Sequence, residues 1–454
     1  MAALAYHCAM PTSGSAPAHR RAIVIGGGIA GLLAARALTR HCERVTILDR
    51  DLLPAGPDPR AGAPQSHHVH VLLTRGWQIL SEQFPGLDDA LAAAGAHEYD
   101  WLADVEWHTP FGLMPRGPSP LRSRACTRPL LEWNVRTRLL ADGRVGVHNG
   151  LEVTGLQASG DRIVGVQVHR RAGAPELAAD ELRADLVVDA SGRASKAPSW
   201  LAALGYPEPA ETVIDAQLGY ATRLYELRTT PPWKVLYIMG KPGKNPRGGV
   251  VYAVEGGRHI VTLVGYGGVF PPTDEAGFLE FAAGLETPAL RDALVGATPC
   301  TSIHGYRKTE NRLRHYERLR RWPAGFVVLG DAACALNPVY GQGMSVAAVA
   351  STLLDAALRE RPGQPPGLRF QKRLAATNLA AFMTATGDDL RWPGTTGKPS
   401  PGLKVMHHLV DRIFAAAARS PDVQLRMMEV LHLLRPGSAL FHPSVLRRAL
   451  LGPR

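Results

Sequence analysis

A chain of 454 residues with 20% charged and 6% aromatic side chains has the composition of an ordinary globular protein with room for two or three lobes, each with its own core. Wholesale disorder is excluded, and so is a protein built to span a membrane. The net charge of +11, from 51 basic and 40 acidic residues, comes from arginines scattered along the chain instead of basic blocks with interleaved aromatics, so no nucleic-acid partner is expected.

In chain order, residues 1–20 lack the unbroken apolar core of a secretion signal and read as a flexible arm, which places the protein in the cytoplasm. Arg21 to Asp51 reads as strand, glycine turn, helix and strand, one βαβ unit. A proline- and glycine-rich loop then leads into a helix over Val71 to Glu82, followed by an irregular stretch over 91–125 and a helix over 129–140 that opens on proline. Short β segments are expected near Val145 to Leu156 and Ile163 to His169, then a buried strand in LRADLVVDASG. Thr212 to Val269 has the alternation and glycine-rich turns of an antiparallel sheet. FLEFAAGLETPALRDAL reads as one helix, FVVLGD as a strand and 343–360 as a helix; the last ninety residues carry helical stripes.

The five cysteines, Cys8, Cys42, Cys126, Cys300 and Cys334, are odd in number and widely spaced, which fits a reducing compartment. His67, His68 and His70 stand close together without a cysteine or carboxylate at ligand spacing, so no metal site is expected.

In the first unit Gly26, Gly28 and Gly31 form GxGxxG between a strand and a helix. Together with Ile29 and Ala30 they make a tight turn whose free N–H groups and positive helix end suit a pyrophosphate. Asp49, eighteen residues after Gly31, and the adjoining Arg50 close the second strand, where a carboxylate can accept from ribose hydroxyls. An acid there favours FAD or NAD over NADP.

GDAACALNPVYGQGM, Gly330 to Met344, decides between them. Asp331 at a strand end can meet the ribityl chain of a flavin. Asn337 to Gly341 carries the backbone around a flat ring, with Pro338 fixing φ and donating no N–H. Gly343 and Met344 open a helix whose N–H groups would face the ring edge where negative charge gathers on reduction.

GGGIAG with Asp49, VVDASGRAS and GDAACALNPVYGQGM, in this order and at these separations, resemble the fingerprints of the p-hydroxybenzoate hydroxylase-like class A flavoprotein monooxygenases over about residues 21–360. APQSHHVHVLLTRG and TGDDLRWPGTTG look most like a branch that includes polyene epoxidases of polyether biosynthesis and actinobacterial tailoring hydroxylases. The resemblance implies FAD as cofactor, NAD(P)H as a transient electron donor and O2 as co-substrate. One oxygen atom would pass through a C4a-hydroperoxyflavin to a lipophilic or aromatic small molecule, by epoxidation or hydroxylation. By position, Arg60 matches an arginine that reaches the FAD pyrophosphate, and Ala61, Gly62 and Ala63 match the segment beside the ring. Arg128 matches an arginine that contacts the cofactor, and Val153 lies where a backbone meets adenine. Where relatives carry Asp-Gly, this chain has Ser191-Gly192-Arg193 with Asp189 two residues earlier, which leaves the mode of nicotinamide binding open.

The expected fold is α/β: a Rossmann-type FAD-binding domain in three parts (21–90, 126–205 and 301–360), a substrate-domain segment at 91–125, an inserted antiparallel sheet at 206–300 and a C-terminal helical subdomain at 361–454. A monomer or homodimer without a membrane span is expected. In this chemistry the cofactor makes the bonds. No general base is assigned, and Tyr340 and His70 are the weak candidates for a catalytic role. The rival readings are a geranylgeranyl-reductase-type FAD enzyme, a flavin-binding protein without turnover, and a flavin-dependent halogenase, whose WxWxIP motif is absent.

Overall fold

The β-branched run before the glycine turn is a strand because every side chain in it is covered: Ala22, Ile23, Val24 and Ile25 are each no more than 5% exposed. The computed structural model describes residues 19–173, 180–397 and 399–451. The expected arm therefore lies outside the described residues except for residues 19 and 20, which open β1 (His19–Ile25). From β1 the chain turns into α1 (Ile29–Leu38) and returns as β2 (Cys42–Asp49).

Three later strands, β3 (Val145–Asn149), β4 (Leu186–Asp189) and β5 (Phe326–Val328), complete a five-stranded sheet in the order β5-β4-β1-β2-β3. All its pairings are parallel. With helices on its faces such a sheet must be apolar on both sides, and β4 is buried at all four positions. The order reverses between β1 and β4, so the crevice beyond their carboxyl ends is the place this topology reserves for a ligand.

A second, eight-stranded sheet includes Gly219–Glu226, His259–Gly265, Arg247–Ala253 and Val235–Ile238 in that spatial order. Its strands obey the period of two. Leu236 and Ile238 pack toward Phe278 and Phe281, whereas Val235 and Tyr237 join the cluster formed with the C-terminal helices. Residues 91–125 correct the irregular reading. His97–Asp100 pairs with Arg122–Ala125, and Val105–Thr109 pairs parallel with Val235–Ile238, a mixed edge on an otherwise antiparallel sheet. The single helix expected over 278–294 is two, Glu275–Ala283 and Ala289–Ala293, divided around Gly284 and Pro288. The helix expected from Val71 starts at Thr74.

The chain returns to the first domain through α2 (Gly343–Glu360) and ends in α3 (Leu368–Asp389), α4 (Pro401–Ala417), α5 (Pro421–Leu431) and α6 (Pro443–Leu451). Ile413, Ala417, Met427 and Met428 bury against Trp107, Val235 and Val250 of the second sheet. Among the described residues no helix is long and apolar enough to cross a membrane.

Candidate active site

The glycine turn is dictated by contact distances. A Cβ on Gly31 would stand 1.9 Å from the Gly26 carbonyl oxygen, and one on Gly26, at φ +99°, would stand 2.6 Å from the Ala190 carbonyl oxygen. Gly28 is different: a Cβ there would meet only Arg60 Nη2 at 3.4 Å and Arg128 Nη2 at 4.0 Å. The space above Gly28 is therefore open and flanked by two guanidinium groups. Gly28 caps α1 without a side-chain bond and the first turn holds no acid, so its N–H groups are free for an anion.

Glu132 aims those arginines. Its Oε1 accepts from Arg60 Nε at 3.1 Å and its Oε2 from Arg128 Nε at 3.0 Å. Arg60 Nη1 donates to Asp49 Oδ2 at 3.0 Å and Asp51 Oδ2 at 2.9 Å, leaving Nη2 toward the turn. Burial works against the Arg60 charge, but Asp49, Glu132 and Asp51 more than offset it and its pKa is raised. Asp49 Oδ2 also accepts from Gly27 N at 2.7 Å and its Oδ1 from Asp51 N at 2.9 Å. Asp49 is thus held at the strand end by its own neighbours. Neither Glu132 nor Asp51 was singled out from the sequence; the i,i+4 spacing of Arg128 and Glu132 was the signal available.

From this turn a cavity of about 1080 Å³ runs through the crevice into the space between the second sheet and the C-terminal helices. Its walls include Gly26, Gly28, Ile29, Ala30, Asp49, Arg50, Arg60, Gly62, Ala63, Arg128 and Val153, and further in Asp331, Pro338, Tyr340, Gly341, Gly343 and Met344. Of the residues singled out, Gly31 lies behind the turn, where its contact with Gly26 defines its role, and Ala61 is outside the lining. Asp189 also stays out. It is fully buried, its Oδ1 accepting from Ser191 N and its Oδ2 from the Ser195 hydroxyl, while Ser191, Gly192 and Arg193 face the cavity. Arg193 donates to the carbonyls of Glu310 and Leu336.

Among the described residues the Asp331 carboxylate has no hydrogen-bond or ion-pair partner, although it is enclosed by protein. Burial raises its pKa, with Arg193 and Arg128 opposing. A carboxylate left without partners in a cavity wall is an acceptor waiting for a hydroxyl. Gly341, at φ +62°, brings the loop against Val71, whose Cγ2 would be 2.1 Å from a Cβ there. α2 then begins with no side-chain cap. The free N–H groups at both helix starts, the paired guanidinium ends and the unpartnered Asp331 together fit FAD.

The histidines fall in three settings. His67 stacks on His304 at 3.9 Å. His68 Nδ1 lies 2.7 Å from Thr222 Oγ1, and burial, with His67 and His304, brings its pKa down to about 4. His70 Nδ1 lies 2.9 Å from the His68 carbonyl. A carbonyl only accepts, so Nδ1 carries the proton and Nε2 presents a lone pair. Burial and Arg128 lower the His70 pKa to about 3, which keeps the ring neutral. Among the described residues no group of His, Cys, Asp or Glu is arranged to hold a metal.

Tyr340 does more than pack along the loop. Its hydroxyl donates to Asp389 Oδ1 at 2.7 Å and Asp388 Oδ2 at 3.0 Å. Burial, then the two carboxylates, push its pKa well above 10, so it stays a protonated donor.

The FAD binding domain family matches residues 20–360, three quarters of the chain, and the chain belongs to that family. It is a flavoprotein of the class A monooxygenase group, an FAD-dependent oxidoreductase with the p-hydroxybenzoate hydroxylase fold. Among its relatives, Protein Rv3254 of Mycobacterium tuberculosis is 30% identical over 412 residues, covering 88% of this chain and 86% of that one. Kynurenine 3-monooxygenase of Salinispora tropica is 28% identical over 402 residues, covering 82% and 80%. Among solved structures, the flavin-dependent brominase Bmp2 superposes with a TM-score of 0.62 at 15% identity, covering 95% of this chain and 98% of that one, a likeness of fold alone.

Proposed function

We propose that this protein transfers one oxygen atom from O2 to an apolar or aromatic natural-product intermediate, by epoxidation or hydroxylation, using NAD(P)H. The observation that carries the reading is one continuous cavity that joins the dinucleotide turn to a chamber walled largely by apolar and aromatic side chains. In this reading Gly26 to Gly31, Arg60 and Arg128 hold the pyrophosphate, Asp49 and Arg50 the adenosine ribose, and Val153 the adenine. Asp331 accepts from the ribityl hydroxyls, and Gly62, Ala63, Pro338, Gly341, Gly343 and Met344 line the ring.

Bound there, FAD supplies electron transfer and oxygen activation. The chain's own share is to place the substrate, to stabilise negative charge at the ring edge with the α2 N-terminus, and to exclude water with the C-terminal helices. His70 is an acceptor toward the ligand and not a proton donor, because its Nδ1 proton is committed to the His68 carbonyl. The domain layout given above, a cytoplasmic location and the polyene-epoxidase-like branch belong to the same reading.

The test is NADH and NADPH oxidation by the FAD-loaded enzyme with each member of a panel of polyene, terpenoid and aromatic compounds. A compound that speeds nucleotide oxidation and becomes one oxygen heavier identifies the substrate class. Reduction of a double bond in place of oxygen gain would instead support the reductase reading.

A further inference from the structure

We propose that Asp388, braced by Tyr340, is the polar anchor of the substrate chamber and selects an apolar molecule that carries a hydroxyl or amine hydrogen-bond donor. The inference rests on the chamber being the substrate site.

Asp388 sits in the last turn of α3 and lines the cavity. Its side chain keeps 36% of its accessible surface although protein surrounds it, so that surface is the cavity. Oδ2 accepts from Tyr340, and Oδ1 lies 3.1 Å from Arg391 Nε. Each carboxylate oxygen has two acceptor positions, so two remain for a ligand.

The donors around it are already committed. Arg391 is drawn to Asp411 Oδ1 at 2.6 Å and to the His407 carbonyl at 3.2 Å, and His407 Nε2 donates to the Gly387 carbonyl. Tyr340 has given its proton to the two aspartates. This pole of the cavity therefore offers an acceptor, and the donor must come from the ligand. Much of the remaining chamber wall is apolar, with Trp107, Val235, Val250, Ile413, Phe414 and Met427, although Tyr237, Thr384 and His432 also reach it. A ligand donor would fill acceptor positions of this carboxylate that Tyr340 and Arg391 leave open.

The test is equilibrium binding to the FAD-loaded protein, followed by perturbation of the flavin absorption band, with 4-heptylphenol, 4-heptylbenzylamine and the ether 4-heptylanisole as probes. At least one donor probe should bind tenfold or more tighter than the ether, the effect of one hydrogen bond to a charged acceptor. The preference should vanish in Asp388→Leu and fall severalfold in Asp388→Asn, both checked for normal FAD content. Equal binding of all probes to the wild type, no binding of any, or a preference that survives both substitutions would overturn the assignment. No NAD(P)H or O2 turnover enters the readout, so failure of oxygen transfer and failure of the anchor are separate results.

Discussion

The phenolic oxygen of Tyr340 lies 2.7 Å from Oδ1 of Asp389, a carboxylate wholly shut off from solvent. Asp389 also accepts from Asn311 Nδ2 at 2.6 Å and from Asn337 Nδ2 at 3.1 Å. Asn337 in turn takes a backbone bond from Val339 and gives its own N–H to Asn311. One residue at the end of α3 thereby fixes the loop that runs from Asn337 to Gly341. Burial raises the Asp389 pKa to about 6, with Tyr340 and Asn337 opposing.

Asp389→Ala would leave two buried donors, the Asn311 and Asn337 side-chain amides, without their acceptor, while the Tyr340 hydroxyl keeps Asp388. A loss of about 3 kcal/mol is expected, since each stranded buried donor costs about 1–3 kcal/mol. Tyr340→Phe removes the one proton that the two aspartates share and should cost only about 1 kcal/mol. Thermal denaturation of the FAD-loaded variants measures both, and equal losses would contradict the hub role of Asp389.

The glycine turn separates folding from binding. Gly31→Ala drives a methyl to within 1.9 Å of the Gly26 carbonyl oxygen and should prevent a stable fold. Gly28→Val meets only guanidinium ends and should leave a folded apoprotein. Its FAD affinity should fall about a hundredfold, the equivalent of one or two charge-assisted hydrogen bonds. Circular dichroism and flavin titration distinguish the two outcomes.

For Asp331→Ala two opposite effects are expected. The apoprotein should be as stable as the wild type or more so, because an enclosed carboxylate with a raised pKa is removed. FAD affinity should fall at least tenfold through loss of a charged acceptor. Melting temperatures with and without FAD test both signs.

Acid should destabilise the protein through its buried histidines. His68 and His432 are 3% and 1% exposed, with pKa values brought down by burial to about 4 and about 3 from an ordinary 6.5. Below pH 6.5 the unfolded chain takes up protons that the native state does not. Each histidine then removes up to about 1.4 kcal/mol per pH unit until its native pKa is reached. Asp389, raised from 3.8 to about 6, acts in the opposite sense between those values and offsets part of the slope. Stability measured from pH 7 to 4.5 should fall, and His432→Asn should make the decline shallower.

The cofactor half of the site was legible in the sequence because local geometry writes it locally. Gly26, Gly28, Gly31 and Asp49 follow from one turn and two strands, and the 343–360 helix stands at the bounds its apolar period gives. The chamber between the second sheet and the C-terminal helices was not, because its contacts join distant segments. TGDD offered no local sign that Asp388 and Asp389 would meet Tyr340, 48 and 49 residues away. Val105–Thr109 alternates in burial, but it is only five residues long and its main partner, Val235–Ile238, lies far along the chain, so nothing nearby marked it as a strand of that sheet. Arg60 read as a phosphate ligand, and the structure adds that Asp49, Asp51 and Glu132 take most of its donors and direct the remaining end.

Oxygen transfer is tested most directly by supplying the FAD-loaded enzyme with NAD(P)H, 18O2 and the compound that best stimulates nucleotide oxidation, then weighing the product. A product carrying one 18O atom, formed only when oxygen is present, is the expected result. A product that forms without oxygen and has gained only hydrogen would contradict it.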